Sequence, residues 1–378
     1  VLLSFFQLKN LLDPIPFLSL EAQHTLVHSD VTKALNDGFE KNRFILGEAL
    51  RKFEEEYAQF SQVTYCLGVG NGFDALTIAL KACNVGPGDE VIVPAHTYIA
   101  TWLAISTSGA TIVPVEPDDL TFNIDVREAE KFITPRTKVI LPVHLYGQPC
   151  EMTTLEELSK RHGLLLIEDN AQAHGATWKG KMTGSFGMAN ATSFYPTKNL
   201  GALGDGGAVT TNNETVAGFV RRYRNYGFES KNFCEELGVN SRLDEIQAAV
   251  LSIKLKHLEE WNEKRRTIAA IYLERLKGAG DLQLPVTLPE ARHVYHLFIV
   301  RTLWRDRLHS YLKSFQVDTM VHYPVPPHLQ KAYASLGYKK GDFPITEAIA
   351  STCLSLPMWP GMTDEQVHYV CDLIKKFY

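Results

Sequence analysis

No run of residues in this chain is long and apolar enough to cross a bilayer. It contains no internal repeat, no low-complexity tract and no block of like charge. Lys and Arg (38) nearly balance Asp and Glu (43), and the formal charge of -5 is spread along the sequence. That balance makes nucleic acid and anionic membrane poor partners. The six cysteines, at 66, 83, 150, 234, 353 and 371, form no CxxC pair and no zinc spacing with histidine. No metal centre is expected, and scattered thiols suit a reducing cytoplasm. At the N-terminus only a weak secretory leader is expected. Residues 1–20, VLLSFFQLKNLLDPIPFLSL, are apolar but broken by Lys9, Asn10, Asp13 and two prolines, with neither a basic start nor a small-residue cleavage site. The segment reads as an amphipathic arm packing on the body or on a partner subunit, and the missing initial Met as an atypical start or a trimmed chain.

What is present is the composition of a soluble globular protein, 45% hydrophobic and 21% charged over 378 residues. That length calls for two domains. Seven short, β-branched, nearly continuous apolar runs begin at Val63, Glu90, Thr111, Lys138, Leu164, Ala191 and Gly207. Strands buried on both faces have this texture. Helical patterns over 75–83, 98–107, 126–133 and 154–162 separate several of them. The alternation predicts an α/β fold with a mixed, mostly parallel seven-stranded sheet flanked by helices. The expected division is an arm (1–20), a large domain (21–260) and a smaller C-terminal α+β domain (261–378). One long helix over 243–276 is expected to bridge the two. Within the smaller domain the pattern predicts strands over 294–300 and 319–323, a helix over 306–315 and two further helical segments.

Four constellations carry chemistry. The first, G68-V-G-N-G-F-D-A-L, follows a strand and opens a helix. Glycine admits backbone amides close to an anion, and a helix N-terminus favours phosphate. A plain strand-to-helix turn has the same pattern. The spacing is not the dinucleotide fingerprint, and no acid ends the next strand to read a ribose. The second is L165-L-I-E-D-N-A-Q-A-H-G. Asp169 ends a buried strand, where open α/β sheets bind ligands, and a carboxylate there needs a cation or a donor. A protonated pyridine nitrogen would satisfy it, with Gln172 near a phenolate-like oxygen; a helix cap or a solvated loop acid is the alternative. The third is S193-F-Y-P-T-K-N-L-G-A-L-G-D-G-G. It holds Lys198 in a tight turn, where desolvation frees an amine for imine formation, and Ser193 near the same phosphate. In the fourth, V93-P-A-H-T-Y-I-A-T, Tyr98 is placed to stack on a planar ring, or simply to pack in the core. A phosphate cradle, a stacking face, an acid for a ring nitrogen and an imine-forming lysine together describe pyridoxal 5'-phosphate (PLP).

On these motifs, and on P142-V-H-L-Y-G-Q-P, N240-S-R-L-D-E-I-Q-A-A and H322-Y-P, the chain resembles the DegT/DnrJ/EryC1/StrS group of PLP-dependent nucleotide-sugar aminotransferases, of the aspartate-aminotransferase fold. The resemblance runs from Ile15 to the C-terminus. It implies Lys198 as the imine lysine, Asp169 as the pyridinium partner and Gln172 beside the ring hydroxyl. Gly70, Asn71, Gly72 and Ser193 become the phosphate cradle and Tyr98 the stacking residue. It implies that Asn240 reaches the phosphate of the neighbouring subunit in a homodimer with shared active sites. Lys198 also separates the chain from relatives that carry histidine there and dehydrate their sugar. His96 stands where an aromatic is often found. The implied substrates are an amino acid donor, L-glutamate by analogy, and a dTDP-linked 3-keto-6-deoxyhexose. Amination at C-4 of a nucleotide-linked sugar is the alternative, and Tyr195, Tyr226 and His322 are candidate sugar contacts. Rivals from other classes are a nicotinamide oxidoreductase on the 68–72 glycines and a non-catalytic regulatory protein of the same fold.

Overall fold

The structure, a computed structural model, describes residues 13–378. The first twelve residues of the expected arm lie outside the described residues. The rest of the arm packs on the body. Ile15 is buried and forms a parallel bridge with Val317, its N–H bonded to the Gln316 carbonyl at 2.9 Å.

Helices α1 (Glu21–Lys41) and α2 (Glu48–Phe60) precede the first strand, β1 (Tyr65–Val69). Then follow α3 (Gly72–Ala82), β2 (Glu90–Pro94), α4 (Ile99–Ser108), β3 (Thr111–Val115), α5 (Val126–Lys131), β4 (Thr137–Ile140), α6 (Met152–His162), β5 (Leu165–Asp169), β6 (Ala189–Ser193) and β7 (Gly207–Thr211). These seven strands make one mixed sheet in the order β1-β7-β6-β5-β4-β2-β3. Strands β3, β2, β4, β5 and β6 pair in parallel, and β7 runs antiparallel to both β6 and β1. The five residues of β2 are all buried, as a strand covered by helices on both faces requires. Because β7 is reversed, its first residue, Gly207, lies beside the last residues of β1 and β6, Val69 and Ser193. The quoted motifs therefore meet at one edge of the sheet.

After α7 (Glu214–Tyr223) the expected bridging helix is two helices, α8 (Glu245–Leu255) and α9 (Leu258–Arg275). The chain turns at His257, whose N–H reaches back to the Lys254 carbonyl at 3.0 Å. The two halves serve different cores. Ala248 and Leu251 pack with Leu50 and Phe53 of α2, whereas Ile268, Ala269 and Tyr272 pack with Phe298, Leu354 and Leu373. One straight rod does not follow both surfaces.

The C-terminal layer holds β8 (Phe298–Arg301), α10 (Arg305–Ser314), α11 (Pro344–Thr352), β9 (Cys353–Leu356) and α12 (Asp364–Phe377), with β8 and β9 antiparallel. Two expectations are corrected here. The strand expected over 294–300 starts at Phe298, because the N–H groups of Val294 and Leu297 bond the carbonyls of Gly147 and Tyr146 rather than a ladder. The strand expected over 319–323 is a single antiparallel bridge, Met320 to Ser355; beyond it His322 and Tyr323 turn to a cavity at the sheet edge. Among the described residues no helix is long and apolar enough to cross a membrane, and no cluster of His, Cys, Asp and Glu is arranged to hold a metal.

Candidate active site

The strand ends open into a cavity of about 520 Å³. One end of it is the start of α3. Asn71 caps this helix, its Oδ1 accepting from the Asp74 N–H at 2.8 Å. The first amides of any helix have no intrahelical acceptor and face outward. Two glycines let the chain close in around them. A Cβ on Gly72 would lie 2.5 Å from Ser193 Cβ, and one on Gly207 would lie 2.4 Å from the Asn71 carbonyl. Asn71, Gly72 and Ser193 line the cavity. Gly70 does not, since its N–H is taken by Ser241 Oγ at 2.9 Å, which also donates to Asp74 Oδ2 at 2.6 Å.

Asp169 and Lys198 line the middle of the cavity. Asp169 is buried, with Oδ2 accepting from Thr101 Oγ1 at 2.9 Å and Oδ1 from the Ala171 N–H at 3.1 Å. Burial raises its carboxyl above the usual carboxylate range, against those two donors and the Lys198 charge. Lys198 sits in a turn closed by its own N–H to the Tyr195 carbonyl at 2.8 Å. Burial lowers its amine to about 8, while Asp169 raises it. Gly201 is obligatory in the same turn, since a Cβ would meet the Pro196 carbonyl at 2.2 Å.

The far wall is aromatic and polar. Tyr98 caps α4, is half exposed, and lies with its ring 5.3 Å from that of Tyr323. Gln172 is buried, its Oε1 accepting from the Tyr146 N–H at 2.6 Å and its Nε2 donating to Tyr323 Oη at 3.0 Å. His322 joins Ser355 Oγ through Nδ1 at 2.7 Å, and burial and then the Lys198 charge hold it at about 4. Tyr195 is half exposed at the mouth. Tyr226 and Asn240 do not reach this cavity. They face each other on an exposed segment, Asn240 Nδ2 donating to Tyr226 Oη at 2.8 Å.

Residue patterns alone did not single out Thr101, Asp205, His296 and Tyr323, of which all but Thr101 line the cavity. Thr101 and Tyr323 lie inside quoted motifs, Thr101 one helical turn past Tyr98. His296 comes from a segment far away in sequence and carries no local signal. Conversely, two motif residues are structural. Glu168 is fully buried and accepts from the N–H groups of Gly184, Phe186 and Gly187 at 2.7–2.9 Å and from His144 Nε2 at 2.8 Å. His144 Nδ1 accepts from Cys150 N–H at 3.0 Å, so its proton is on the side of Glu168.

These residues fit PLP. At the amide end Asn71, Gly72 and Ser193 line the cavity where outward α3 amides can take a phosphate, the buried carboxylate has capacity for a ring N–H, and the lysine amine is lowered towards its free form. An α/β sheet with this site at its strand ends defines a PLP-dependent enzyme of the aspartate-aminotransferase fold. A family model described as the DegT/DnrJ/EryC1/StrS aminotransferase family matches residues 26–375, and the chain belongs to that family. It is 47% identical to the dTDP-3-amino-3,4,6-trideoxy-α-D-glucose transaminase of Streptomyces venezuelae, over 96% of each chain. It is 48% identical to the dTDP-3-amino-3,6-dideoxy-α-D-galactopyranose transaminase of Aneurinibacillus thermoaerophilus, over 96% of this chain and 99% of the relative. A crystal structure of DesV from S. venezuelae superposes with a TM-score of 0.95 at 47% identity, covering 97% of this chain and 99% of that one.

Proposed function

We propose that this aminotransferase moves the amino group of an amino acid, L-glutamate by analogy, onto C-3 of a dTDP-linked 3-keto-6-deoxyhexose. The observation that carries the reading is the Lys198–Asp169 pair in one cavity beside the α3 amide cradle. The two transaminases above, both named for 3-amino sugars, supply the regiochemistry.

PLP, when bound, supplies an aldehyde for the amine and a ring that withdraws electrons once protonated. The residues of the chain do the rest. Asn71, Gly72 and Ser193 hold the phosphate through α3 amides and a hydroxyl, and Tyr98 covers the ring. Asp169, oriented by Thr101 and the Ala171 N–H, keeps a proton on the ring nitrogen. Gln172 donates towards the ring oxygen. Lys198 Nζ would hold the aldehyde when no donor is bound and, as a free amine, would take up the donor's α-proton and give it back as an acid. Tyr195 and His322 meet the sugar. Asn240 and Tyr226 act in the site of a second copy of the chain, which makes the enzyme a homodimer with shared sites. The arm (1–20), the sheet unit (21–260) and the C-terminal unit (261–378) are the proposed domains, and the cytoplasm the proposed compartment.

Three experiments divide the alternatives. Glutamate added to the holoenzyme should convert its absorption spectrum to that of the pyridoxamine form; a regulatory protein of this fold would bind PLP and show no conversion. Product NMR with dTDP-linked 3-keto and 4-keto sugars separates C-3 from C-4 transfer. Mixing Lys198→Ala with Asn240→Ala chains should restore about a quarter of wild-type activity, since half the dimers are mixed and each carries one intact shared site. No recovery after exchange of subunits would remove the shared-site arrangement.

A further inference from the structure

Two motif residues have no part in the chemistry above and are nevertheless buried polar groups, His96 and Tyr146. The cavity lining includes Gln172, His322 and Tyr323 but neither of these two. Tyr146 has a left-handed backbone, φ 60° and ψ 5°, in the turn Leu145–Gly147. The turn is wedged in place: a Cβ on Gly147 would lie 2.9 Å from the His296 nitrogen and 3.1 Å from the Gln172 carbonyl. The Tyr146 N–H holds Gln172 Oε1 at 2.6 Å, and its hydroxyl bonds the His322 carbonyl and, at 2.8 Å, His96 Nε2. A phenol has one hydrogen and a carbonyl only accepts, so the hydroxyl donates to His322 and His96 donates to the hydroxyl. Burial holds His96 down at about 3, so it stays neutral, with its one proton on Nε2, at working pH. An imidazole and a phenol are costly in an apolar core unless their bonds are made. Core filling alone would be served by phenylalanine at both places.

We propose that His96 and Tyr146 are positioning residues, a buried strut that fixes the spacing between Gln172 on the cofactor side and the His322–Tyr323 wall on the sugar side, and so the fit of the keto substrate. The inference rests on the sugar reading above. On the cofactor side Tyr146 holds the oxygen of the Gln172 amide and leaves its NH₂ for Tyr323. On the sugar side the His322 carbonyl is held by the strut, and the His322 ring by Ser355.

The test compares Tyr146→Phe, His96→Phe and His96→Gln as holoenzymes. Tyr146→Phe removes both bonds of the hydroxyl, and losing the one that holds the His322 carbonyl should raise KM for the dTDP-linked 3-keto-6-deoxyhexose about fivefold. The glutamate half-reaction should stay within about twofold of wild type. Amide exchange should quicken selectively in the peptide around residues 320–325, a readout that needs no turnover. His96→Gln keeps an N–H donor and should return KM towards wild type. An unchanged KM and unchanged exchange in Tyr146→Phe would overturn the strut, as would an equal loss in both half-reactions tracking a lowered thermal midpoint. Should His96→Phe fail to fold, Tyr146→Phe, which removes a single oxygen, decides alone. If wild type itself does not turn over the sugar, the substrate reading fails, and the exchange measurement still judges the strut.

Discussion

The Lys198 amine gives the most direct prediction. An ordinary lysine titrates near 10.5, and burial, opposed by Asp169, brings this one to about 8. At pH 7 the free base is then about one molecule in eleven, against about one in three thousand for an ordinary lysine, a gain of roughly 300-fold. Only the free base attacks an aldehyde. Covalent capture of PLP by cofactor-free protein should therefore quicken about tenfold per pH unit below pH 8 and level off above about pH 9. Asp169 holds the amine up, so Asp169→Asn should move that midpoint to lower pH. Stopped-flow absorbance after mixing with PLP reads the rate, with Lys198→Ala as the blank. A midpoint near 10, or an upward move in Asp169→Asn, would refute the reasoning. The same shift fixes a sign for stability. The unfolded chain holds the Lys198 proton more tightly, so burying this lysine costs stability below pH 8, and the cost vanishes as pH rises past about 10.5.

Other consequences follow from single contacts. Gly207→Ala pushes a methyl into the Asn71 backbone; it should cost about 1–3 kcal/mol in thermal unfolding and weaken PLP more than tenfold in equilibrium dialysis. Thr101→Val removes a donor that pulls the Asp169 carboxyl down, so that carboxyl rises further. The glutamate half-reaction should slow about threefold to tenfold in single-turnover absorbance, with the phosphate cradle intact. Glu168→Gln leaves the N–H groups of residues 184–187 facing an amide; about 3 kcal/mol of stability should be lost in urea unfolding, with no change in the pH midpoint of PLP capture.

The strands were legible because burial on both faces demands unbroken β-branched runs, and the seven runs mark the seven strands. That β7 is reversed was not, since a buried five-residue strand such as G207-A-V-T-T reads the same in either direction. The break at His257 escaped because the apolar spacing continues across it; only the two cores, which no local pattern encodes, require a bend. Residues 319–323 have strand composition, but their partners are a single bridge at Ser355 and the cavity. Within the site, Lys198, Asp169 and the pair Asn71–Gly72 are legible because their surroundings are local (glycines, a strand end, a helix start), whereas Gly70 turns its N–H to Ser241. The partners that tune them come from elsewhere in the chain. Thr101 meets Asp169 across 68 residues, and Tyr323 meets Gln172 across 151. The E-D pair shows the limit of reading a motif as chemistry. Its aspartate faces the cavity, and its glutamate, turned to the opposite face as alternate strand residues are, holds a loop.

The charges of the cavity bear on how many chains a working site needs. Asp169, Asp205 and Lys198 line it together with His296 and His322. Burial drives both histidines well below their ordinary value, His322 to about 4, and the Lys198 charge adds to it. Among the described residues Lys198 is the one lysine or arginine that lines this cavity, and its amine, lowered to about 8, is partly neutral near pH 7. PLP adds a phosphate, and a dTDP-sugar adds two more phosphoryl groups, so amide dipoles and hydroxyls are left to offset most of the negative charge. The segment ending at the half-buried Arg242 has what is lacking. Arg242 bonds Asn225 Oδ1 at 2.9 Å and lies 5.6 Å over the Tyr226 ring, and no ion pair to a carboxylate engages it among the described residues. Asn240 and Tyr226 stand next to it, and neither faces the cavity of its own chain. A cation, an amide and a phenol held together outside the cavity, beside a site short of positive charge, are the complement that a second copy of the chain would bring. If the proposed shared-site dimer forms, dissociating it should cost phosphate affinity before it costs the fold.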